Sequence, residues 1–221
     1  MGRKHLLHIG TVIGLAAINL TSCKAPDPPD AGATPESPLT APGVSQALAI
    51  HRAATLSELH YDLELSIPAA RSEAIRGRIT TTLELEASDA PLIFDFAQSP
   101  DHIQSVTAAG QPVTYEARNE HIVISASELQ PGSNEITIEF IAGDSSLNRN
   151  EDFLYTLFVP DRARVALPVF DQPDLKARFD LQLEIPGDWT AIANGELASL
   201  DDSGPRHRYR FATTEPLPTY L

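Results

Sequence analysis

Apolar and polar residues alternate with a period of two along much of the chain after residue 60. Residues 61–67, 75–87, 135–141 and 179–185 each carry an apolar side chain at nearly every second position. Successive side chains of a β-strand point to opposite faces, so this spacing predicts strands with one buried face. Shorter runs of the same kind predict further strands at 92–96, 103–107, 112–116, 121–125, 189–193 and 206–212.

Turn-forming residues separate the predicted strands, as at Ser99-Pro100-Asp101 and Ala109-Gly110. Many strands without long helices between them are typical of an all-β fold, and we expect an antiparallel β-sandwich or saddle of sheets. The pattern leaves the strand order open. One short helix is predicted over 45–59, with its apolar face formed by Ala47, Ile50, Ala54 and Leu56.

The N-terminus has the features of a secretory signal. Arg3 and Lys4 precede an apolar run over 9–20, which is shorter than the roughly 20 residues that a membrane-spanning helix needs. The run ends in Leu-Thr-Ser-Cys, which resembles a bacterial lipobox and predicts lipid attachment to Cys23. A buried first helix with an incidental cysteine is the alternative interpretation.

Three segments follow from this interpretation. Residues 1–22 are predicted to be a lipoprotein signal peptide, and 23–44, which are rich in Pro, Ala and Asp, a disordered tether. Residues 45–221 form the predicted β domain. Lys24 stands where an Asp would retain a lipoprotein in the inner membrane, so we expect a lipid anchor in the outer membrane of the bacterial cell envelope, facing the periplasm.

Composition excludes some partners and cross-links. The formal net charge of −14 argues against a nucleic-acid partner, because phosphate backbones are bound mainly by clustered Lys and Arg. Cys23 is the only cysteine, so the chain cannot form an intrachain disulfide.

Candidate chemistry is sparse. No HExxH, GxSxG or GxGxxG motif occurs, so the sequence predicts no catalytic residue and no metal ligand. The acid pairs Glu151-Asp152 and Asp201-Asp202 are interpreted as exposed loop residues. The histidines after the signal are interpreted as solvated or strand-surface side chains; they are His51, His60, His102, His121 and His207.

Residues 164–179 read RVALPVFDQPDLKARF and resemble the RxxFPxFDEPxxKAxF motif of the aminopeptidase N family of zinc metallopeptidases. Leu167 replaces the Phe of that motif and Gln172 replaces the Glu. The resemblance is diagnostic over 147–221, which includes the Asn194-Gly195 turn, and looser over 56–146. It implies the N-terminal β domain of that family, incomplete at its C-terminal end.

The resemblance also implies functional roles. In the family the catalytic domain holds zinc and the peptide substrate, and its HExxH and GxMEN motifs would lie beyond Leu221, so no activity is expected of this chain alone. A Gln/Glu pair that grips the substrate's α-amine matches Leu157 and Val159, which depart from the pattern. The main alternative is a stand-alone, non-enzymatic lipoprotein acting as a binding or scaffold module. A carbohydrate-binding sandwich is a third, more distant interpretation.

Overall fold

The computed structural model describes residues 37–87 and 89–221. One α-helix, α1 (Gln46–Thr55), precedes the strands, and short 3₁₀ turns lie at Pro38–Thr40, Pro100–His102, Ala126–Glu128 and Ala163–Val165. The strands are β1 (Leu56–Ser66), β2 (Arg76–Leu85), β3 (Leu92–Asp95), β4 (Ile103–Ala108), β5 (Gln111–Pro112), β6 (Tyr115–Arg118), β7 (His121–Ile124), β8 (Gly132–Ile141), β9 (Leu147–Arg149), β10 (Leu154–Thr156), β11 (Arg178–Pro186), β12 (Leu197–Asp201) and β13 (Arg206–Phe211).

The strands form three sheets. The largest has eight strands in the order β12-β13-β11-β1-β2-β8-β4-β5, while β3-β7-β6 and β9-β10 form smaller sheets of three and two strands. The all-β prediction is confirmed. The prediction of antiparallel sheets misses one feature, because β1 and β11 run parallel, with Tyr61 opposite Phe179. These two strands are distant in sequence, and a local pattern of side chains does not record their relative direction.

The core lies between the large sheet and the three-stranded sheet. Ile79 of β2 and Ile138 of β8 are fully buried and belong to the same apolar cluster as Phe94 of β3 and Ile122 of β7. Phe96, which follows β3, packs its ring edge to face against Phe140 of β8 at a centroid distance of 5.9 Å. Burial of these side chains supplies the main stabilising term, at about 1.5–3 kcal/mol for each large side chain.

The helix is shorter than predicted and buries a different face. Ser45 caps its start, accepting a hydrogen bond from the Leu48 backbone N–H, and the chain is already in β1 at Leu56. Its buried residues are Leu48 and Arg52, whereas Ile50 is 63% exposed. The predicted apolar face was therefore wrong, because a charged side chain occupies the buried position.

The strand predicted over 189–193 is absent, and the following strand is β12 instead. Trp189, Ala191 and Ala193 are partly buried against the core, so their alternation comes from packing of an unpaired segment. The tether predicted to extend to residue 44 is also shorter at its C-terminal end. Thr40 is buried, and the Ala41 carbonyl oxygen lies 3.0 Å from the His121 ring nitrogen Nε2.

Candidate functional site

A charged pair lies in the interior where α1 meets β3. Arg52 Nη1 and Nη2 each donate to one carboxylate oxygen of Asp95, both at 2.7 Å, and Nη2 also donates to the Ile93 carbonyl oxygen at 2.6 Å. Arg52 is 2% exposed and Asp95 is fully buried. Such a two-pronged bond fixes the helix relative to the strand, because the planar guanidinium matches the carboxylate in only a few orientations.

Asp95 also contacts two other segments. Its Oδ2 accepts from the Asp171 backbone N–H at 2.8 Å, and its Oδ1 lies 3.0 Å from His121 Nδ1. Burial opposes ionisation of Asp95, but the Arg52 guanidinium and these donors outweigh it and hold the pKa of Asp95 below its usual value. The Asp95 carboxylate thus joins β3 to α1, β7 and the turn at residues 170–172.

The Asp95–His121 pair does not have the geometry of a catalytic dyad. The far ring nitrogen of His121, Nε2, bonds to the Ala41 carbonyl oxygen and so faces no hydroxyl or thiol that it could activate. Both side chains are also closed off from solvent. The prediction that the histidines lie at the surface was wrong for His121, which is 2% exposed, with Nε2 bonded to the Ala41 carbonyl oxygen and Nδ1 3.0 Å from the Asp95 carboxylate.

The residues of the FDQP segment form bonds within the domain. The Phe170 backbone N–H donates to the Tyr61 hydroxyl at 3.0 Å, and Gln172 Nε2 donates to the Ala49 carbonyl oxygen of α1 at 3.2 Å. Asp171 accepts from the Arg164 backbone N–H at 3.0 Å and from the Thr219 hydroxyl. Burial raises the pKa of Asp171, although these two donors partly offset the increase.

In the part of the chain that the structure describes, the inner side chains of β11 and β12 are less completely covered than those of β2 and β8. We call this surface, formed by the inner side chains of β11, β13 and β12 and by the 189–195 loop, the open face. A cavity of about 520 Å³ lies along it. Ile192 is 93% exposed and Leu197 53% exposed. Other apolar residues of the open face are Leu181, Leu183, Trp189, Leu200 and Phe211.

The two positions matched to amine recognition lie beside the cavity. Leu157 and Val159 follow β10 and are 50% and 66% exposed. Their aliphatic side chains carry no hydrogen-bond acceptor for an amine. Phe153 and Tyr155 stack at a centroid distance of 6.0 Å on the same hairpin and are also about half exposed. Substrate contact at these positions stays a prediction.

The other predicted features lie apart from one another. His60 bonds to Asp180 at 2.8 Å on the polar face of the large sheet, and His102 bonds to the Ile141 carbonyl oxygen at 2.9 Å. Glu151-Asp152 and Asp201-Asp202 are exposed. Over residues 37–87 and 89–221, no group of three or more His, Cys, Asp or Glu is placed to hold a metal ion.

Two observations concern attachment to a membrane. Cys23 and the predicted signal peptide lie outside the described residues, so the lipid anchor stays a prediction. No helix in the described part of the chain has both the length and the apolar character to cross a bilayer.

Arg52 and His121 are the site residues that sequence reasoning missed. The sequence carries two signals of the buried pair. Arg52 lies on a helix made mostly of small and apolar residues, and Asp95 ends the apolar run Leu92–Asp95. A buried charge requires a partner, so these two signals together could have suggested the pair. The open face could not be predicted, because its strands have the same alternation as the covered ones.

Comparison with known sequences gives a family assignment. The profile of the Peptidase M1 N-terminal domain matches residues 57–221. The protein named "Probable M1 family aminopeptidase 1" of Encephalitozoon cuniculi is 29% identical over 185 residues, covering 73% of this chain and 20% of that protein. The puromycin-sensitive aminopeptidase of Caenorhabditis elegans is 29% identical over 203 residues, covering 80% of this chain and 21% of its own length. The chain thus spans about a fifth of the length of the curated relatives it matches.

Solved structures share the fold. The M1 zinc metallopeptidase of Deinococcus radiodurans superposes with a TM-score of 0.64 at 22% identity, covering 75% of this chain and 40% of that one. Leukotriene A4 hydrolase from Saccharomyces cerevisiae superposes with a TM-score of 0.60 at 20% identity, covering 76% of this chain and 28% of that one. The sequence match confirms the family predicted from the motif at residues 164–179, and the solved structures share the fold. Because the profile matches more than half of the chain, this chain belongs to the Peptidase M1 N-terminal domain family.

Proposed function

We propose that this chain is the non-catalytic N-terminal portion of a lipid-anchored zinc aminopeptidase, packing on a catalytic domain and helping to shape its peptide-binding cleft. Family membership supports the enzyme class. Zinc and the reacting groups belong to the catalytic domain in this proposal. The chain contributes a rigid surface beside the substrate.

The open face is the observation that carries this proposal. Ile192, whose side chain is almost fully exposed, lines a cavity of about 520 Å³, and Leu197 and Leu200 are exposed apolar side chains on the neighbouring strand β12. Large contiguous apolar surfaces are uncommon on proteins that act alone and mark sites where another protein surface docks. A catalytic domain with a complementary apolar surface would cover these side chains and remove them from water.

The hairpin of β9 and β10 supports the cleft-shaping part of the proposal. Tyr155 lines the same cavity, and Leu157 and Val159 continue from it as exposed aliphatic side chains. A docked catalytic domain would bring its substrate next to these residues. They would offer the peptide apolar contact, and the substrate amine would need acceptors from elsewhere.

The docking proposal predicts that two charges on the open face prevent association. The coding DNA after the Leu221 codon is read, and the polypeptide it encodes in the same frame is co-expressed with this chain. We expect that polypeptide to contain HExxH, to co-purify and to hydrolyse an aminoacyl-p-nitroanilide. The double variant Ile192→Glu/Leu197→Glu should weaken co-purification about tenfold or more, because it buries unpaired carboxylates in an apolar interface.

The matched control adds a charge to the opposite, polar side of the large sheet. Gln104 is exposed there, and Gln104→Glu should leave association unchanged. A downstream sequence without HExxH would contradict the enzyme part of the proposal. The stand-alone lipoprotein would then be the better description. Equal co-purification of the double variant and the control would contradict docking at the open face.

The proposal includes a lipid anchor attached to Cys23, in the outer membrane facing the periplasm. Cys23→Ser should abolish incorporation of an alkyne-labelled fatty acid during growth, because Cys23 is the only thiol in the chain. Ser22→Ala keeps a small residue before the cysteine and should retain the label. Fractionation of the labelled protein on a density gradient tests the membrane. Label on the Cys23→Ser protein, or its absence from the wild type, would contradict the anchor.

A further inference from the structure

The first described residues form an arm that lies against the three-stranded sheet. This N-terminal arm comprises residues 37–55, which precede the part matched by the family profile. Leu48 of the arm is fully buried and packs with Ile93 of β3 and Val123 of β7. The N-terminal arm therefore covers the outer apolar side chains of this small sheet.

Several polar contacts hold the arm to the domain. Arg52 bonds to Asp95, and the Ala49 carbonyl oxygen accepts from Gln172. The carbonyl oxygens of Thr40 and Ala41 accept from Asn119 at 2.9 Å and from His121 at 3.0 Å. His121 contacts the arm through Nε2. Its other ring nitrogen, Nδ1, lies beside Asp95, the residue that binds Arg52.

Both ring nitrogens of His121 face oxygen acceptors. The bond from Nε2 to the Ala41 carbonyl requires a proton on Nε2. Nδ1 lies 3.0 Å from a carboxylate oxygen of Asp95, without the alignment of a regular hydrogen bond. A neutral ring would then direct the Nδ1 lone pair towards a buried negative charge. A proton on Nδ1 turns that repulsion into attraction, so the geometry fits the imidazolium form.

We propose that His121 is a pH-sensitive latch: its doubly protonated ring holds the N-terminal arm on the three-stranded sheet, and its deprotonation loosens the arm and uncovers Ile93 and Val123. The arm links the domain to the predicted tether. Its release would lengthen that connection and expose new apolar surface.

The charged groups around the ring set the direction of the pH effect. Arg52 from α1 repels the imidazolium, and Asp95 from β3 attracts it. Arg118 lies opposite on β6, and Glu120, next in sequence, pairs with Arg164. Asp171 approaches Asp95 from the 170–172 turn.

Burial lowers the pKa of His121, but the Asp95 carboxylate and the Ala41 carbonyl outweigh burial and raise the pKa above its ordinary value of 6.5. A raised pKa means that the latch is fully effective below about pH 6.5 and is lost as the pH rises through the folded-state pKa.

Trypsin cleavage after Arg52 reports release of the arm. Arg52 is 2% exposed when the arm is docked, whereas Arg71 lies in an exposed loop. The ratio of the two cleavage rates in the full chain cancels the pH dependence of trypsin itself. We expect this ratio to rise about tenfold or more between pH 6 and pH 9, as a charge-assisted contact is lost. In His121→Gln the ratio should be high at pH 6 and nearly constant, and in His102→Gln it should follow the wild type.

Ring ¹⁵N chemical shifts of the wild-type chain test the same proposal without any change in stability. They should show His121 doubly protonated at pH 6 and neutral at the pH where the cleavage ratio rises. A ratio that does not change with pH, a pH-dependent ratio retained in His121→Gln, or a neutral His121 at pH 6 would each overturn the latch.

Discussion

Replacing Asp95 by alanine is expected to lower the free energy of unfolding by about 3–5 kcal/mol, because it leaves the Arg52 charge buried without its partner. Arg52 is 2% exposed, so water cannot replace the two lost bonds. The Asp171 backbone N–H and His121 lose their acceptor in the same step. Urea unfolding at pH 7, followed by far-ultraviolet circular dichroism, measures the loss.

Two further variants test whether the loss of stability comes from breaking the buried ion pair or from removing any paired carboxylate. Asp180→Ala removes the carboxylate that pairs with His60 on the half-exposed face of the large sheet, and should cost no more than about 1 kcal/mol. Arg52→Met/Asp95→Leu removes both charges and should cost less than Asp95→Ala. A loss in Asp95→Ala no larger than that in Asp180→Ala would show that Arg52 finds other partners and that the pair does not hold the domain together.

The sequence predicted the central strands of the large sheet well, because their burial is one-sided, but it missed the edge strand β12. β2 and β8 alternate between buried and partly exposed residues along nearly their whole length, which is the arrangement that a period of two describes. β3 and β7 are buried at every position and were predicted from short apolar runs between turns. The bounds of these strands could therefore be predicted, both for strands buried on one face and for strands buried on both.

Features that depend on contacts between distant segments could not be predicted. The parallel pairing of β1 with β11 brings His60 opposite Arg178. These residues are so far apart in sequence that no local pattern predicts their pairing. The same holds for His121, which reads as a surface residue until the N-terminal arm and Asp95 are placed beside it. The open face has the same explanation, because exposure of an apolar strand depends on which layer covers it.

The motif at 164–179 has one property that the sequence predicts and another that only the fold explains. Its resemblance to a family could be recognised from residue order alone, while the reason for its residue types lies in the fold. Phe170 enters the core, and Asp171 satisfies the Arg164 backbone N–H and the Thr219 hydroxyl. Within this chain the motif residues bond to the domain itself and connect α1, β1 and β3.

Phe170 lies at the centre of these connections, and Phe170→Ala is expected to lower the free energy of unfolding by about 3–5 kcal/mol. The ring is fully buried and stacks on Phe94 at a centroid distance of 4.4 Å. It also lies 5.2 Å from the Arg52 guanidinium carbon, so its removal takes a favourable cation–π contact from the buried charge. The cavity left behind is bounded by strands of two sheets and cannot collapse fully, because the backbone N–H groups of residues 170 and 171 donate to the Tyr61 hydroxyl and the Asp95 carboxylate and so fix the backbone beside it.

Phe153→Ala is the matched control, because Phe153 is 50% exposed on the β9–β10 hairpin and its loss should change stability by no more than about 0.5 kcal/mol. Thermal and urea unfolding of the two variants provide the comparison. Phe170→Leu should recover part of the loss, since leucine refills some of the cavity. Equal stability of the Phe170→Ala and Phe153→Ala proteins would mean that the motif does not join the sheets. Its residue types would then need an explanation outside this domain, at a surface that the proposed catalytic domain would contact.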